Sequence, residues 1–392
     1  KVAVDTAVSL WEAGQVDALV VVAPLGVHRT WLLEWEKHAA LPSADLHAWD
    51  GGHGKRAAEA LRRAVAHAPF LVFTINWDAL ITSRGQATLR EVLGARRALL
   101  VADEAHRMKT PSAKRSRVML QLARLARYRR ILTGTPVANS PLDLYVPFQF
   151  LDPAILGCAN FYVFRNLYAV LRRRQVGGRS FQEVTGYQRL DHLKALLAPH
   201  SYAVTAAECL DLPPRQYLTL PCPLEGAAAR AYADLQAELV ARLASGEEMS
   251  APLALTQLLR LQQLLGGWFK PDGDAGRWLS AEPTARERAL LAYLEDVPGK
   301  VVVWTRFVPE RERLARLLRA AYPGQVVSVP ETLDGLALFQ GRGACGERPR
   351  FLVASPEGPA AEGVDLSSAD TLVYYSNSFK LTARLQSEAR AD

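Results

Sequence analysis

The sequence of 392 residues has few cysteines and no long apolar segment. Its four cysteines, at positions 158, 209, 222 and 345, include no Cys-x-x-Cys pair. This spacing disfavours a structural zinc site or a disulfide framework and fits a reducing cytoplasm. The apolar run at residues 18–24 has the length of a strand, far below the ~18 residues of a membrane helix. No charged-then-apolar leader opens the chain, so the sequence predicts neither a membrane protein nor a secreted one.

The composition is that of a globular protein. Hydrophobic residues are 49% and charged residues 22%, which argues against disorder, collagen and coiled coil. The length exceeds what one hydrophobic core holds, so we expect two domains. The net charge of +7 and the excess of Arg over Lys fit a nucleic-acid partner, but a GC-rich genome gives the same bias. Because Lys1 lies directly inside an amphipathic pattern and nothing terminates the chain at Asp392, we expect an excerpt of a longer protein.

Short apolar runs alternate with helical patterns at both ends of the chain. Near-continuous apolar runs are typical of strands buried on both faces of a parallel sheet, and the alternation indicates right-handed βαβ units. The fold class predicted is therefore α/β, with two doubly wound parallel-sheet lobes and a mostly helical insertion between them. The predicted strands are residues 17–23, 70–74, 98–102 and 130–133 in the first lobe, and 300–304, 325–329, 350–354 and 371–375 in the second.

The predicted domain boundary lies at Pro213-Pro214, because two prolines continue neither a helix nor a central strand. The first domain is residues 1–212, with the helical insertion at about 141–205. The second is residues 213–392, with a helical segment at about 224–270 and a lobe at about 285–392. Inside the insertion, the pattern predicts a helix over residues 161–172. The arginine run that begins at Arg172 is either a phosphate-binding patch or an exposed loop.

The strongest local signal is the run Asp103-Glu-Ala-His106 after a buried strand. Open α/β sheets place ligands at the carboxyl ends of their strands. Asp103 is suited to hold Mg²⁺, and Glu104 is placed to orient and deprotonate the water that attacks a γ-phosphate. His106 follows where it can relay the nucleotide state. The alternative is an ordinary strand-to-helix turn with Asp103 as helix cap.

A second signal follows the next strand. Thr133 and Thr135 offer hydroxyls beside the sheet edge, and Gly134 lets the backbone approach a partner closely. A plain turn is the alternative. The position of this run, about one βα unit after the acidic pair, makes it informative.

Together these motifs resemble the Swi/Snf-type ATPases of helicase superfamily two. The resemblance is to a DEAH-box protein of the bacterial or phage type. The acidic run continues to Lys109 as in that family, and Leu132-Thr-Gly-Thr-Pro136 is the form that marks this branch. The other similar stretches are residues 22–35, 73–78, 300–307, 361–370 and 386–390. The match spans nearly the whole chain in the family's order.

The resemblance implies two RecA-like lobes that use ATP and Mg²⁺. Arg390 matches an arginine finger that reaches the ATP phosphates, a task that suits an always-charged guanidinium. The residues implied to couple the nucleotide state are His106, Thr133, Gly134, Thr135, Gly363, Asp365 and Gln386. The implied DNA contacts are Pro24, His28, Arg29, Asn76 and Arg306. Contacts of this type bind the backbone of double-stranded DNA without sequence preference and weaken with salt.

The sequence departs from the family at both ends. The phosphate-binding loop Gly-x-x-x-x-Gly-Lys-Thr is absent, although the helix expected after it begins near Val2. The second arginine of the last motif, three residues beyond Arg390, is absent too. We therefore expect the 392 residues alone to bind ATP poorly and to hydrolyse it barely, and the parent protein to do both.

The function expected from the resemblance is an ATP-dependent translocase on double-stranded DNA. A strand-separating helicase, or the motor subunit of a restriction or phage-defence complex, is the alternative. A non-catalytic DNA-binding scaffold is the third hypothesis. We expect a cytoplasmic, nucleoid-associated protein of bacterial or phage origin. Membership of a larger protein complex is possible.

Overall fold

The chain divides into two units, Lys1–Leu210 and Asp211–Asp392. The computed structural model describes residues 1–391 except 40, 42, 52–53, 138–139, 177–178, 205, 210, 212–214, 245–250, 271–275, 330–332, 342–348 and 359–364. Two predicted features, the hinge at Pro213-Pro214 and the coupling residue Gly363, lie outside the described residues.

Unit 1 is built on a five-stranded parallel sheet. Its strands are β1 (Ala18–Ala23), β2 (Ala44–Ala48), β3 (Phe70–Asn76), β4 (Ala98–Asp103) and β5 (Tyr128–Leu132). Their order in the sheet is β2-β3-β1-β4-β5, and each pair is parallel. The chain starts in the middle of the sheet and winds out to both edges, as a doubly wound fold does. The four predicted strands of this lobe are confirmed, and the edge strand β2 was missed.

Apolar side chains on both faces hold the sheet between two helical layers. Alternate residues of β1 point to opposite faces, so Val20 and Val22 pack in one core and Leu19 and Val21 in the other. Every residue of β1 is buried. Full burial of one such side chain stabilises the fold by about 1.5–3 kcal/mol. The helices of this layer system are α1 (Val2–Glu12), α2 (Thr30–His38), α3 (Lys55–His67), α4 (Ser83–Ala95) and α5 (Lys114–Ala123).

The insertion after β5 is mostly helical but contains a β-hairpin. Its helices are α6 (Tyr145–Leu151), α7 (Pro153–Leu156), α8 (Phe161–Tyr168), α9 (Leu190–Leu197) and α10 (Ala206–Cys209). Between α8 and α9, strands β6 (Ala169–Val176) and β7 (Arg179–Tyr187) pair antiparallel. The predicted helix over residues 161–172 is therefore wrong beyond Tyr168. The arginine run lies inside β6, and the sequence after it contains Gly177-Gly178, a dipeptide typical of hairpin connections.

Unit 2 is built on a four-stranded parallel sheet. Its strands are β10 (Val301–Trp304), β11 (Val326–Ser328), β12 (Phe351–Ala354) and β13 (Thr371–Tyr374), in the order β11-β12-β10-β13. The four predicted strands are confirmed, and with them the pair of doubly wound, RecA-like parallel-sheet lobes. A short antiparallel pair, β8 (Trp268–Phe269) and β9 (Arg277–Trp278), precedes this sheet.

The first two helices of unit 2 lie within the helical segment predicted at about 224–270. These helices are α11 (Gly226–Ala244) and α12 (Ala251–Leu265), followed by α13 (Ala285–Asp296), α14 (Val308–Ala321), α15 (Leu333–Phe339) and α16 (Leu381–Glu388). A buried ion pair joins α13 to α14, with 2.7 Å between Arg313 Nε and Glu287 Oε1. In the described part of both units, no helix is long and apolar enough to cross a membrane.

Candidate functional site

The carboxyl edge of the unit 1 sheet collects the chemically active residues of that unit. β4 ends at Asp103, and its neighbours β1 and β5 end at Ala23 and Leu132. Asp103 lies opposite Leu132 in the parallel register, and Ala23 lies opposite Asn76. The sheet order thus brings the acidic run, the Thr-Gly-Thr run and the residues after β1 and β3 to one edge, where open α/β sheets bind ligands.

Two tryptophans hold Asp103. The indole Nε1 of Trp31, in the first turn of α2, donates to Asp103 Oδ2 at 2.9 Å. The indole Nε1 of Trp77, directly after β3, donates to the backbone oxygen of Asp103 at 2.8 Å. The backbone N–H of Glu104 donates to Asp103 Oδ1 at 3.0 Å. Trp31 and the Glu104 N–H therefore orient the Asp103 side chain, and Trp77 fixes its backbone.

Glu104 adopts a backbone conformation that is rare for its residue type. Its φ of 50° and ψ of 53° lie in the left-handed region, which costs about 1–2 kcal/mol for a residue with a Cβ. The side chain is 14% exposed, and its Oε2 lies 3.2 Å from His106 Nδ1. Glu104 occupies the N-cap position of the short 3₁₀ helix Ala105–Met108. The residue at the cap of this helix is thus Glu104 and not Asp103 as predicted. Strain of this kind clusters at functional sites.

The chemistry of this edge fits a hydrated divalent cation and a phosphate. Mg²⁺ is usually held by one or two carboxylates together with water and substrate phosphates, and a hard carboxylate at the end of β4 suits that mode. Within the described residues, no cluster of three or more His, Cys, Asp or Glu side chains forms a self-sufficient metal site. A single carboxylate in this position suits a cation that arrives with its phosphate.

The run Thr133-Gly134-Thr135 lies next to Asp103 and Glu104. The backbone N–H of Thr135 donates to Thr133 Oγ1 at 3.1 Å and fixes the turn. A Cβ built on Gly134 would meet no described atom within 4 Å, so the space beside this backbone is open. After this run, Ser140 caps the 3₁₀ helix Pro141–Leu144 in a capping box with Asp143, whose Oδ2 lies 3.9 Å from Lys109 Nζ. The segments after β4 and β5 are therefore in contact.

The predicted DNA contacts of unit 1 differ in exposure. Pro24 is buried, and His28 is 3% exposed with its Nδ1 2.8 Å from Leu25 O and its Nε2 3.2 Å from Trp49 O. Asn76 is 9% exposed, and its Oδ1 accepts from the backbone N–H of Ala79 at 2.9 Å. These three side chains lie inside the edge of the sheet in this structure, and their contact with DNA stays a prediction. Arg29 is exposed and remains available for solvent-side contact.

In unit 2, Arg306 follows β10 and is fixed by several neighbours. Its backbone N–H donates to Ser376 Oγ at 2.7 Å, and its guanidinium contacts Gln262 Oε1 and lies 4.9 Å from the Phe379 ring centre. Ser376 Oγ in turn donates to Glu310 Oε2 at 2.5 Å. Burial raises the pKa of the Glu310 carboxyl above its usual range, an effect that the Ser376 hydrogen bond opposes.

The structure also brings together the described parts of the last two stretches that resemble the family, residues 361–370 and 386–390. The backbone N–H of Leu366 donates to the backbone oxygen of Arg390 at 2.8 Å. Asp365 Oδ1 accepts from the Ser367 backbone at 2.9 Å and from its hydroxyl at 2.6 Å. Gln386 lies in α16, and Arg390 lies two residues beyond the end of that helix. Asp365 and Arg390 are thus neighbours in the fold.

Some residues that contact the predicted site residues could not be identified from the sequence. Trp31 and Asp103 are 72 residues apart, and their hydrogen bond needs the sheet order to be known. Glu388 of α16 accepts from the Tyr217 hydroxyl at 3.4 Å and lies 3.5 Å from Arg215 Nη1. The segment before α11 therefore supports the helix that carries Gln386, a contact between residues more than 170 positions apart.

Comparison with known proteins gives the family. The SNF2-related domain matches residues 9–266. DNA annealing helicase and endonuclease ZRANB3 of Bos taurus is 30% identical over 158 residues, which is 40% of this chain and 14% of that protein. Protein CHROMATIN REMODELING 4 of Arabidopsis thaliana is 21% identical over 411 residues, covering 97% of this chain and 17% of that protein. A Sulfolobus solfataricus SWI2/SNF2 ATPase core in complex with dsDNA has a TM-score of 0.40 and 21% identity, covering 94% of this chain and 73% of that one.

Together with the domain match, the parallel sheets and the acidic pair after β4 define a Swi/Snf-type ATPase of helicase superfamily two. The domain match covers more than half of the chain, and the chain belongs to the SNF2-related domain family. It spans 14% and 17% of the two curated relatives named above, so the activity of the whole protein is a matter for proposal.

Proposed function

We propose that the chain is the motor core of a DNA-dependent ATPase that moves along double-stranded DNA without separating the strands. The observation that carries the proposal is the pair Asp103 and Glu104 at the carboxyl edge of the unit 1 sheet, where two indole N–H groups hold Asp103. Relatives named as a DNA annealing helicase, a chromatin remodelling protein and a DNA repair and recombination protein support DNA as the partner.

Unit 1 supplies the hydrolytic groups of the proposal. Asp103 would hold Mg²⁺, which would supply positive charge against the phosphates, and Glu104 orients and deprotonates the attacking water. His106, which contacts Glu104 at 3.2 Å, and the turn at Thr133, Gly134 and Thr135 respond to the state of the nucleotide.

Residues of unit 2 also have roles in this proposal. Arg390 stabilises negative charge on the transferring phosphoryl group, because a guanidinium stays charged and binds phosphate oxygens through two donors. Gln386, Asp365 and Gly363 couple that event to the rest of unit 2. The hydrogen bond between Leu366 and Arg390 supports a shared response of these segments.

The DNA contacts of the proposal are to the phosphate backbone. Arg29 is the exposed basic residue after β1, and Arg306 occupies the corresponding place after β10. Backbone contacts of this kind carry no sequence information. We further propose a DEAH-box protein of bacterial or phage type that acts on the nucleoid in the cytoplasm, with an assembly with other proteins as an extension.

A strand-separating helicase, or the motor of a restriction or phage-defence complex, is the second candidate. The β6–β7 hairpin favours it, because an exposed hairpin has the shape of a wedge for separating strands. A non-catalytic scaffold is the third candidate. All tests below use the full-length protein, because the sequence of 392 residues contains no Gly-x-x-x-x-Gly-Lys-Thr loop and is expected to hydrolyse ATP barely by itself.

Displacement of a third DNA strand separates these candidates. With ATP and Mg²⁺, the full-length protein is expected to release a labelled triplex-forming strand from an intact duplex, because a moving motor strips what lies in its path. The same protein is expected to leave a labelled forked duplex unseparated, and a non-hydrolysable ATP analogue serves as control. Fork separation without triplex release would support the helicase instead. Neither activity, with DNA binding retained, would support the scaffold.

A further inference from the structure

The region around the β6–β7 hairpin concentrates the positive charge of the chain. Residues 161–189 contain six arginines and one glutamate, a net charge of +5 in a chain with +7 in total. The remaining 363 residues are therefore close to neutral. Most of the net positive charge of the chain thus lies in this one region.

The hairpin presents its arginines to solvent. Arg172, Arg173 and Arg174 are consecutive in β6, and all three are exposed. Side chains alternate along a strand, so Arg172 and Arg174 lie on one face and Arg173 lies on the other. On the first face the two arginines are about 7 Å apart along the strand, since each residue advances about 3.4 Å.

Little acidic charge opposes these arginines. Glu183, the one carboxylate of residues 161–189, lies opposite Arg172 in the register and contacts Arg174 at 3.1 Å. Both partners of that contact are well exposed, so its contribution to stability is small. Arg173 Nε donates to Ser180 Oγ at 2.7 Å, which fixes its direction without neutralising it.

Exposed aromatic rings lie within the same region. Tyr162, Phe181 and Tyr187 are 65%, 47% and 40% exposed. The Arg165 guanidinium lies 5.3 Å from the Tyr162 ring centre, and Phe181 is opposite Arg174 in the register. A basic surface that also carries exposed aromatic rings is the combination that nucleic acid binds, through its phosphates and through the faces of its bases.

We propose that the β6–β7 hairpin is a nucleic-acid-binding element that contacts the phosphate backbone of DNA through Arg172, Arg173 and Arg174. The proposal rests on the proposed function for the identity of the polymer. Regular negative charge along a duplex, one phosphate per 3.4 Å of each strand, matches two guanidinium groups about 7 Å apart on one face. The hairpin adds a site to the contacts expected at Arg29 and Arg306.

The test replaces all three arginines with glutamine in the full-length protein. Affinity for a labelled 40-base-pair duplex is measured by fluorescence anisotropy between 50 and 300 mM NaCl. Each phosphate contact contributes about 0.9 to the slope of log K against log salt, so we expect the slope to become shallower by about 2–3. At the lowest salt we expect affinity to fall at least about tenfold.

Two further triple variants serve as controls. Arg56, Arg62 and Arg63, which are exposed on α3, are replaced with glutamine to remove the same charge from a different surface. We expect this variant to keep the wild-type slope. Replacing the three hairpin arginines with lysine keeps the charge and is expected to preserve most of the slope. Circular dichroism of every variant verifies that the fold is retained.

The outcomes distinguish the hairpin proposal from the proposed function. Wild-type binding in the hairpin glutamine variant, or equal losses in the α3 variant, would overturn the hairpin proposal and leave the motor function standing. A changed salt slope in a protein whose ATPase ignores DNA would support the hairpin and overturn the motor. Binding to phosphatidylserine vesicles is measured in parallel. A loss there without a loss on the duplex would assign the hairpin to a membrane surface and overturn its assignment to DNA.

Discussion

Replacing Glu104 with glutamine in the full-length protein is expected to lower DNA-stimulated ATP hydrolysis by about 10²- to 10⁴-fold, the usual contribution of a general base. Glutamine has nearly the same shape but cannot take a proton from water. DNA affinity is expected to stay within about twofold, since Glu104 is largely buried and contacts His106 within unit 1. Steady-state phosphate release, with and without duplex DNA, measures the effect.

The backbone of Glu104 makes this substitution informative. Glutamine carries the same left-handed strain at φ 50°, so the melting temperature is expected to change little. Replacing the exposed Glu59 on α3 with glutamine removes the same charge away from the sheet edge and is expected to keep full activity. Retained turnover in the Glu104 variant would remove that residue from the role of base.

Replacing Trp31 with phenylalanine is expected to weaken the apparent affinity for Mg²⁺, or the DNA-stimulated rate, by about 10- to 100-fold. Losses of this size are typical when a group that orients a metal ligand is removed. The indole N–H donates to Asp103 Oδ2 at 2.9 Å, and phenylalanine keeps an aromatic ring there without the donor. Titration of the ATPase with Mg²⁺ at saturating ATP and DNA separates an effect on Mg²⁺ affinity from one on the maximal rate.

Trp11 provides a matched control for this substitution. Its ring packs on the same hydrophobic cluster as Trp31 and meets Phe70 edge to face, with 6.3 Å between ring centres. The same change to phenylalanine at Trp11 alters the packing but leaves the Asp103 hydrogen bond in place, so we expect the Mg²⁺ dependence of wild type. Equal effects of the two substitutions would show that Trp31 acts through packing alone.

In the proposed function, the first turn of α2 has two roles. Arg29 lies at the exposed beginning of this helix, and Trp31 follows two residues later with its indole on the predicted Mg²⁺ ligand. A contact between Arg29 and a DNA phosphate would thus act on the same short turn that orients Asp103. This geometry supports a direct route by which DNA binding stimulates hydrolysis within unit 1.

Buried strands were predictable from the sequence because short, continuous apolar runs fit few structures other than a buried strand. β1 is buried along its whole length, and the residues of β10 are too. β2 escaped prediction because its short Ala-Asp-Leu-His-Ala run mixes polar and apolar residues at a half-exposed edge. The β6–β7 hairpin escaped because Arg172, Arg173 and Arg174 have good helix propensity and hide the strand pattern. Pairing with β7, rather than local preference, decides their conformation.

For the site, the sequence identified which segments meet but not how their side chains are oriented. The parallel order of strands brings Asp103 and Thr133 to one edge, as expected from the two motifs. The burial of His28 was not visible, because a histidine beside an arginine looks like a basic surface pair. Nor were the indole contacts of Trp31 and Trp77 visible, because tryptophans in apolar sequence usually signal a core.

The most direct test of the motor function is the ATPase rate of the full-length protein with no DNA, with duplex DNA and with a single strand of equal length. A motor that follows the backbone of double-stranded DNA predicts a low basal rate and several-fold greater stimulation by the duplex than by the single strand. An ATPase indifferent to DNA, or one stimulated mainly by single strands, would contradict the proposed function.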